Sequence, residues 1–175
     1  GCRRIAFLTG RVSHSSEARL QGYRRALAEA GLEMRDAWIR CGEYREAFGY
    51  EAASALIAAD EVDAIFAAAM PVAAGTMRAV QERAASGLPV PPVLSFDELQ
   101  PTEDAWMPPL MIRQPAHELG VTAIGLLFER LRERQSGARR PNRTILLAAE
   151  VAAYGGARAP ATGAAVAASP LAPAG

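Results

Sequence analysis

Short apolar runs alternate along this chain with stretches whose apolar positions recur at helical spacing. The first run, Ile5 to Leu8, closes at a glycine turn, Gly10, and a hydroxyl-rich loop leads to Leu20, Tyr23 and Leu27 at helical spacing. Such a sequence predicts a buried strand followed by an amphipathic helix ending near Gly31. Ala37 to Gly42 reads as a second strand, interrupted by Arg40. Arg45 to Ala59, with Phe48, Ala52, Ala55 and Leu56 in register, reads as a second helix. Asp63 to Ala69 is the expected third strand, and Met70-Pro71 opens a third helix, with Pro71 in the first turn where its missing N–H is no loss. That helix runs through Met77 and Val80 and stops before Gly87. The run PVLSF supplies a fourth strand ending on Asp97.

Beyond a loop from Glu98 to Pro108 that carries Trp106, the segment Pro108 to Pro115 is fenced by prolines, which keep the preceding residues extended. The longest helix is expected from Ala116 to Arg134, with Leu119, Ala123, Leu126, Leu127 and Leu131 on one face and a basic end. A last strand is expected from Thr144 to Val151. Residues 155–175 hold too little apolar bulk to offset the entropy of ordering them, and are expected to form a disordered Ala/Pro/Gly-rich tail. Alternating strands and helices at this spacing predict a three-layer α/β/α fold around a mainly parallel sheet. In open sheets of that kind ligands sit beyond the carboxyl ends of the strands, which places Ser13, Ser15 and Arg19 at the crevice.

Composition narrows the function classes. The 175 residues suffice for one domain with a substantial core. No run approaches the roughly 18 apolar residues that a spanning helix needs, so a soluble chain is expected. Nineteen basic and nineteen acidic residues cancel, and no global field draws the chain to nucleic acid or membrane. Any DNA contact is therefore expected from outside this sequence. The two cysteines, Cys2 and Cys41, lack metal-ligand spacing and are expected as buried or half-buried thiols of a reducing cytoplasm. No metal or cofactor is expected. No secretory signal opens the chain, which starts almost directly in a strand as a cut-out fragment would.

Enzyme motifs are missing as well: no G-x-S-x-G elbow, no G-x-x-x-x-G-K-[ST] loop and no H-E-x-x-H stand in the sequence. His14 lies between serines of the first loop without an acid beside it, and His117 opens the long helix. Thr9, Gly10 and Arg11 stand where a receiver domain would carry its acidic pair.

The blocks GCRRIAFLTG, SSEARLQGYRRAL, CGEYREAFGYEAASALI, DAIFAAAMPVAAGTMRAV, PVLSFDE and WMPPLMIRQPAHELGVTAIGLLFERL, in that order, resemble the effector-binding core of the lactose-repressor and purine-repressor family of bacterial transcription regulators. The resemblance covers about residues 1 to 154. It implies a type I periplasmic-binding-protein-like fold, with most of residues 1–154 forming the C-terminal subdomain. Residues 112–135 would be the crossing segment and helix that pack on the N-terminal subdomain. It further implies a sugar-like or other small metabolite as effector, a homodimer, and DNA contact through an N-terminal helix-turn-helix absent from this chain. Without its usual partner, the leucine face of the long helix is expected to dock on its own sheet or on a second copy.

Carried over residue by residue, the resemblance assigns effector contacts to Ser13, Ser15, Arg19, Tyr44 and Asp97. A guanidinium fork gives planar, bidentate recognition of hydroxyl pairs or carboxylates, and Arg19 would provide it. Its alternative is a surface position on a polar helix face. The hydroxyls of Ser13 and Ser15 can donate or accept. Capping of the first helix by Ser15 or Ser16 competes with that role. Asp97 would accept hydroxyl or amine hydrogen bonds, or serve as a turn residue. Tyr44 would stack on a ligand ring, or pack in the core. Ala69 and Met70 depart from the Asn-Asp that relatives place after the third strand, which argues against a simple hexose. Dimer contact is expected through Ala73, Ala74, Met77 and Trp106, the last alternatively capping its own core.

Overall fold

The computed structural model describes residues 1–11, 13–99, 107–137 and 141–153. Five parallel strands and one antiparallel edge strand make a single sheet: β1 (Ile5–Thr9), β2 (Ile39–Cys41), β3 (Ala64–Ala67), β4 (Val93–Phe96), β5 (Leu110–Arg113) and β6 (Glu150–Ala153). Their order across the sheet is β2-β1-β3-β4-β5-β6. Four helices connect them: α1 (His14–Glu29), α2 (Glu46–Ala58), α3 (Met70–Ala85) and α4 (Ala116–Ser136). The mainly parallel α/β sheet expected from the sequence is present.

Strand order reverses at β1, so the chain winds first one way and then the other. Right-handed crossovers then place α1 on one face of the sheet and α2 with α3 on the opposite face. The burial pattern follows the strand period of two. Ala6, Leu8, Ile65, Ala67, Val93 and Met111 face α2 and α3 in the main core, while Phe7 packs with Tyr23 and Leu27 of α1 and with Phe66. Tyr23 also ties α1 to the sheet through its hydroxyl, which donates to the Ile5 carbonyl at 2.7 Å. The helices α2 and α3 meet backbone to backbone, because Gly49 and Gly75 leave no side chain between them. A Cβ on Gly75 would lie 1.9 Å from the Glu46 carbonyl oxygen.

Several expectations need correction. The strand placed at 144–151 pairs only from Glu150 onward, antiparallel to β5 with Arg113 opposite Glu150 and Leu110 opposite Ala153. Proline-fenced β5 has four residues, and its partner can be no longer. The stretch from Ala37 begins as a 3-10 turn, Asp36–Trp38, before the short β2. His14 is the first residue of α1 and not a loop residue. Cys2 and Cys41 are free and exposed rather than buried, one ahead of β1 and the other closing an edge strand. The expected tail 155–175 and Trp106 lie outside the described residues.

Helix α4 buries none of its residues. Leu119, Ile124, Leu127, Phe128 and Leu131 are all exposed, so the helix does not dock on its own sheet. A helix of this apolar pattern gains stability chiefly by covering its stripe. No helix among the described residues is long and apolar enough to cross a membrane.

Candidate functional site

The crevice rule for doubly wound sheets directs attention to the carboxyl ends of β1 and β3, the adjacent strands where the winding reverses. At the end of β1 the chain turns through Gly10 into the start of α1. Ser13 is the N-cap of that helix, with extended backbone (φ −143°, ψ 166°), and forms a capping box with Ser16. The cap is thus Ser13, rather than Ser15 or Ser16, because only Ser13 stands in the half-turn before the helical residues. Its Oγ accepts from the Ser16 amide at 3.2 Å and also lies 3.2 Å from both Ser15 Oγ and Tyr44 Oη. The Tyr44 ring lies against Gly10, where a Cβ would sit 2.3 Å from Cδ1, and the side chain is 40% exposed rather than part of the core.

Arg19, one turn further along α1, reaches over the sheet to the end of β3. Its Nη1 donates to the Ala68 carbonyl at 2.6 Å, and its Cζ lies 3.7 Å from the centroid of the Phe96 ring. Phe96 ends β4 and Asp97 follows it, with a left-handed backbone (φ 72°). The Asp97 amide donates to the Ile112 carbonyl at 3.0 Å, and its carboxylate accepts from Gln114 Nε2. The structure therefore brings Arg19 and the Phe96-Asp97 corner to one rim. Ser13, Ser15 and Tyr44 cluster beside the β1 end of it.

Neighbouring charges are already matched. Arg11 and Arg45 both reach Glu43, at 3.0 and 3.1 Å, and Arg113 pairs with Glu98 at 2.9 Å. The Glu98 hydrogen bond, reinforced by its charge, pushes Arg113 further above its ordinary value. At the end of β3, Ala69 caps α3 without any side-chain hydrogen bond, and Met70 is 47% exposed. The polar pair that the resemblance leads one to expect there is replaced by a methyl group and a thioether, neither of which can donate a hydrogen bond. The Thr9 hydroxyl, at the end of β1, is buried without a hydrogen-bond partner among the described residues.

A hollow of about 560 Å³ opens from the same place, on the α1 face of the sheet between α1 and the strands β3, β4 and β5. Phe66, Leu94, Leu110 and Ile112 line it from the sheet and Arg19, Tyr23 and Leu27 from α1, with Phe96 also in the lining, while Ser13, Tyr44 and Asp97 take no part in it. An apolar trough over a parallel sheet is a surface for covering by another element, whereas the rim holds the polar chemistry. We therefore assign the candidate site to the rim.

Two of the residues expected to make dimer contacts are corrected by their burial. Ala73 is fully buried and Met77 is 4% exposed, both inside the layer between α3, α2 and the sheet. Ala74 is partly buried against the same core. Ala73, Met77 and Val80 recur at helical spacing on one buried face of α3. Three participants at the rim escaped the sequence reading: Phe96, Gln114 and the Ala68 carbonyl. The alternation of β4 does carry a signal for Phe96, since Val93 and Ser95 face one way and Leu94 and Phe96 the other.

The family model described as periplasmic binding protein-like domain matches residues 1–153. The chain belongs to that family, in its lactose-repressor branch. It is 31% identical to the HTH-type transcriptional repressor PurR of Histophilus somni over 77% of this chain and 41% of the relative. To catabolite control protein A of Priestia megaterium it is 32% identical, over 73% of this chain and 39% of that one. Among solved structures, the transcriptional regulator CelR–cellobiose complex superposes with a TM-score of 0.71 at 30% identity, covering 87% of this chain and 46% of that one. The chain thus spans about two fifths of the length of the two sequence relatives, both of which are named as regulators of transcription or catabolite control.

Proposed function

We propose that this chain is the ligand-sensing part of a bacterial transcription regulator, holding a small polar molecule at the rim formed by Arg19 and Asp97. One observation carries the reading: a part-buried guanidinium, paired with no carboxylate among the described residues, stands at the switch point of a doubly wound sheet. Ser13, Ser15 and Tyr44 extend the polar surface along the start of α1. The effector is a sugar or related metabolite, and a cellobiose complex among the structural neighbours supports that class. Ala69 and Met70 leave the β3 side of the site apolar, so the molecule is less polar than a simple hexose, or meets the rim in another pose. The regulator acts in the cytoplasm as a homodimer, in which Ala74, partly accessible where Ala73 and Met77 are buried, makes contact. It contacts DNA through a helix-turn-helix outside this chain, and α4 belongs to the companion subdomain.

Calorimetry on the full-length regulator, against a panel of sugars, nucleobases and small acids, tests this reading. One class is expected to bind, and Arg19→Ala and Asp97→Ala are each expected to weaken it about tenfold or more, since hydrogen bonds to charged groups contribute about 1.5–3 kcal/mol. Binding by no class, or binding indifferent to both substitutions, overturns the proposal.

A further inference from the structure

Arg19 differs from the arginines around it. Arg11, Arg45 and Arg113 each reach a glutamate, whereas Arg19 is held by two neutral groups, the Ala68 carbonyl and the face of Phe96. These restrain it in different ways. The carbonyl takes one N–H in the guanidinium plane, and the ring covers the cation from the side at 3.7 Å without consuming any donor. A ring face attracts the cation through its quadrupole, which an aliphatic side chain of similar bulk cannot do.

We propose that Phe96 is the positioning residue of the effector site. It sets the plane of the Arg19 guanidinium before the ligand arrives, and the N–H groups not used by Ala68 meet a ligand that presents two coplanar oxygen acceptors. A carboxylate and a pair of adjacent hydroxyls both supply that arrangement. An arginine side chain carries about 2 kcal/mol of rotamer entropy, so a pre-set fork binds with less ordering cost than a free one. The placement follows from the strand: β4 alternation puts Phe96 on the α1 face, and the left-handed turn at Asp97 starts immediately after it. The inference rests on the effector-site reading above.

The test is NMR with ¹⁵N-labelled arginine, the ring displacement read on the 175-residue chain and the probe titrations on the full-length regulator. The Arg19 side-chain protons are expected upfield of those of the other arginines, because they lie over the Phe96 ring. Phe96→Leu is expected to abolish that displacement and Phe96→Tyr to keep it, with the backbone amide spectrum of each variant reporting an intact fold. Acetate and cis-1,2-cyclohexanediol, titrated separately, distinguish a carboxylate ligand from a hydroxyl pair by which of them moves the Arg19 signal. Phe96→Leu is expected to weaken the responding probe about three- to tenfold, the factor equivalent to an ordinary cation–π contribution, and Phe96→Tyr to restore it. Arg19 protons at the ordinary arginine position, or probe affinity unchanged in Phe96→Leu, overturn the inference. If the ring displacement is present and depends on Phe96 but neither probe moves the signal, the positioning stands, and the ligand class falls together with the effector-site reading.

Discussion

Gln114 donates its side-chain amide to the Asp97 carboxylate, joining the segment that leaves β5 to the corner that follows β4. Asp97 holds a left-handed backbone there, with φ of 72°. Aspartate tolerates that conformation better than most residues, and glycine adopts it freely. Asp97→Gly is therefore expected to melt no lower than the parent chain in thermal unfolding. The same substitution in the full-length regulator is expected to weaken effector binding at least about tenfold, through loss of a charged acceptor. A lowered melting point with binding retained would make Asp97 a turn residue only.

Ala69 stands at the N-cap of α3 and offers the helix no side-chain acceptor. Replacing an alanine cap by asparagine contributes about 1 kcal/mol in other helices. Ala69→Asn is expected to raise the thermal midpoint by about 3 °C. It also returns a hydrogen-bonding group to the β3 end of the rim, so affinity for hydroxyl-rich ligands is expected to rise in calorimetry on the full-length regulator.

Gly75 and Glu46 set the separation of α3 and α2. A Cβ at Gly75 meets the Glu46 carbonyl oxygen at 1.9 Å and the Tyr50 amide nitrogen at 2.6 Å, both backbone atoms that cannot turn aside. Gly75→Ala is expected to cost about 3 kcal/mol, the upper end for overpacking, read as a lower midpoint in urea. Gly22→Ala is the control. Nothing lies within 4 Å of a Cβ in that position of α1, and the change is expected to stabilise by up to about 1 kcal/mol.

Burial pushes the Tyr23 hydroxyl above its ordinary value of 10.0. The folded chain therefore keeps that proton more firmly than the unfolded chain. The resulting stabilisation is complete below pH 10 and is lost as the pH rises through the higher, folded-state value. Tyr50 is raised as well, first by its hydrogen bond to Glu82, so both tyrosines contribute to an alkaline loss of stability. Tyr23→Phe is expected to cost about 1 kcal/mol at neutral pH, since the Ile5 carbonyl loses a donor. The variant is expected to show a shallower decline above pH 10, when denaturant midpoints are followed against pH.

The strands and helices were legible because most of them are specified by their own residues. Ile5 to Leu8 has no other way to bury four consecutive apolar groups, and Pro71 marks the first turn of α3 as clearly as any residue can. The last strand was less legible, for Thr144 to Ala149 are as apolar as the residues that do pair. Whether a residue there joins the sheet depends on the length of β5, more than thirty positions earlier. Two of the dimer positions expected on α3, Ala73 and Met77, are instead buried within the chain. Ala73 and Met77 look like a surface of small and flexible side chains, but with Val80 they form one stripe of α3 that is buried in the core beside the sheet.

By itself, then, the sequence determined the alternation of elements and the sheet type, because periodicity and proline placement are local properties, whereas Arg19 and Asp97 entered as candidates through the resemblance of the ordered blocks. Only the tertiary structure decided what holds those two side chains. The Ala68 carbonyl, the Phe96 ring and the Gln114 amide come from the ends of three further segments, and their meeting at one rim follows from strand order and register. The same distinction applies to α4. Its apolar stripe can be read from residue spacing, but its exposure is a property of the packing, and no local pattern encodes what a helix will find beside it.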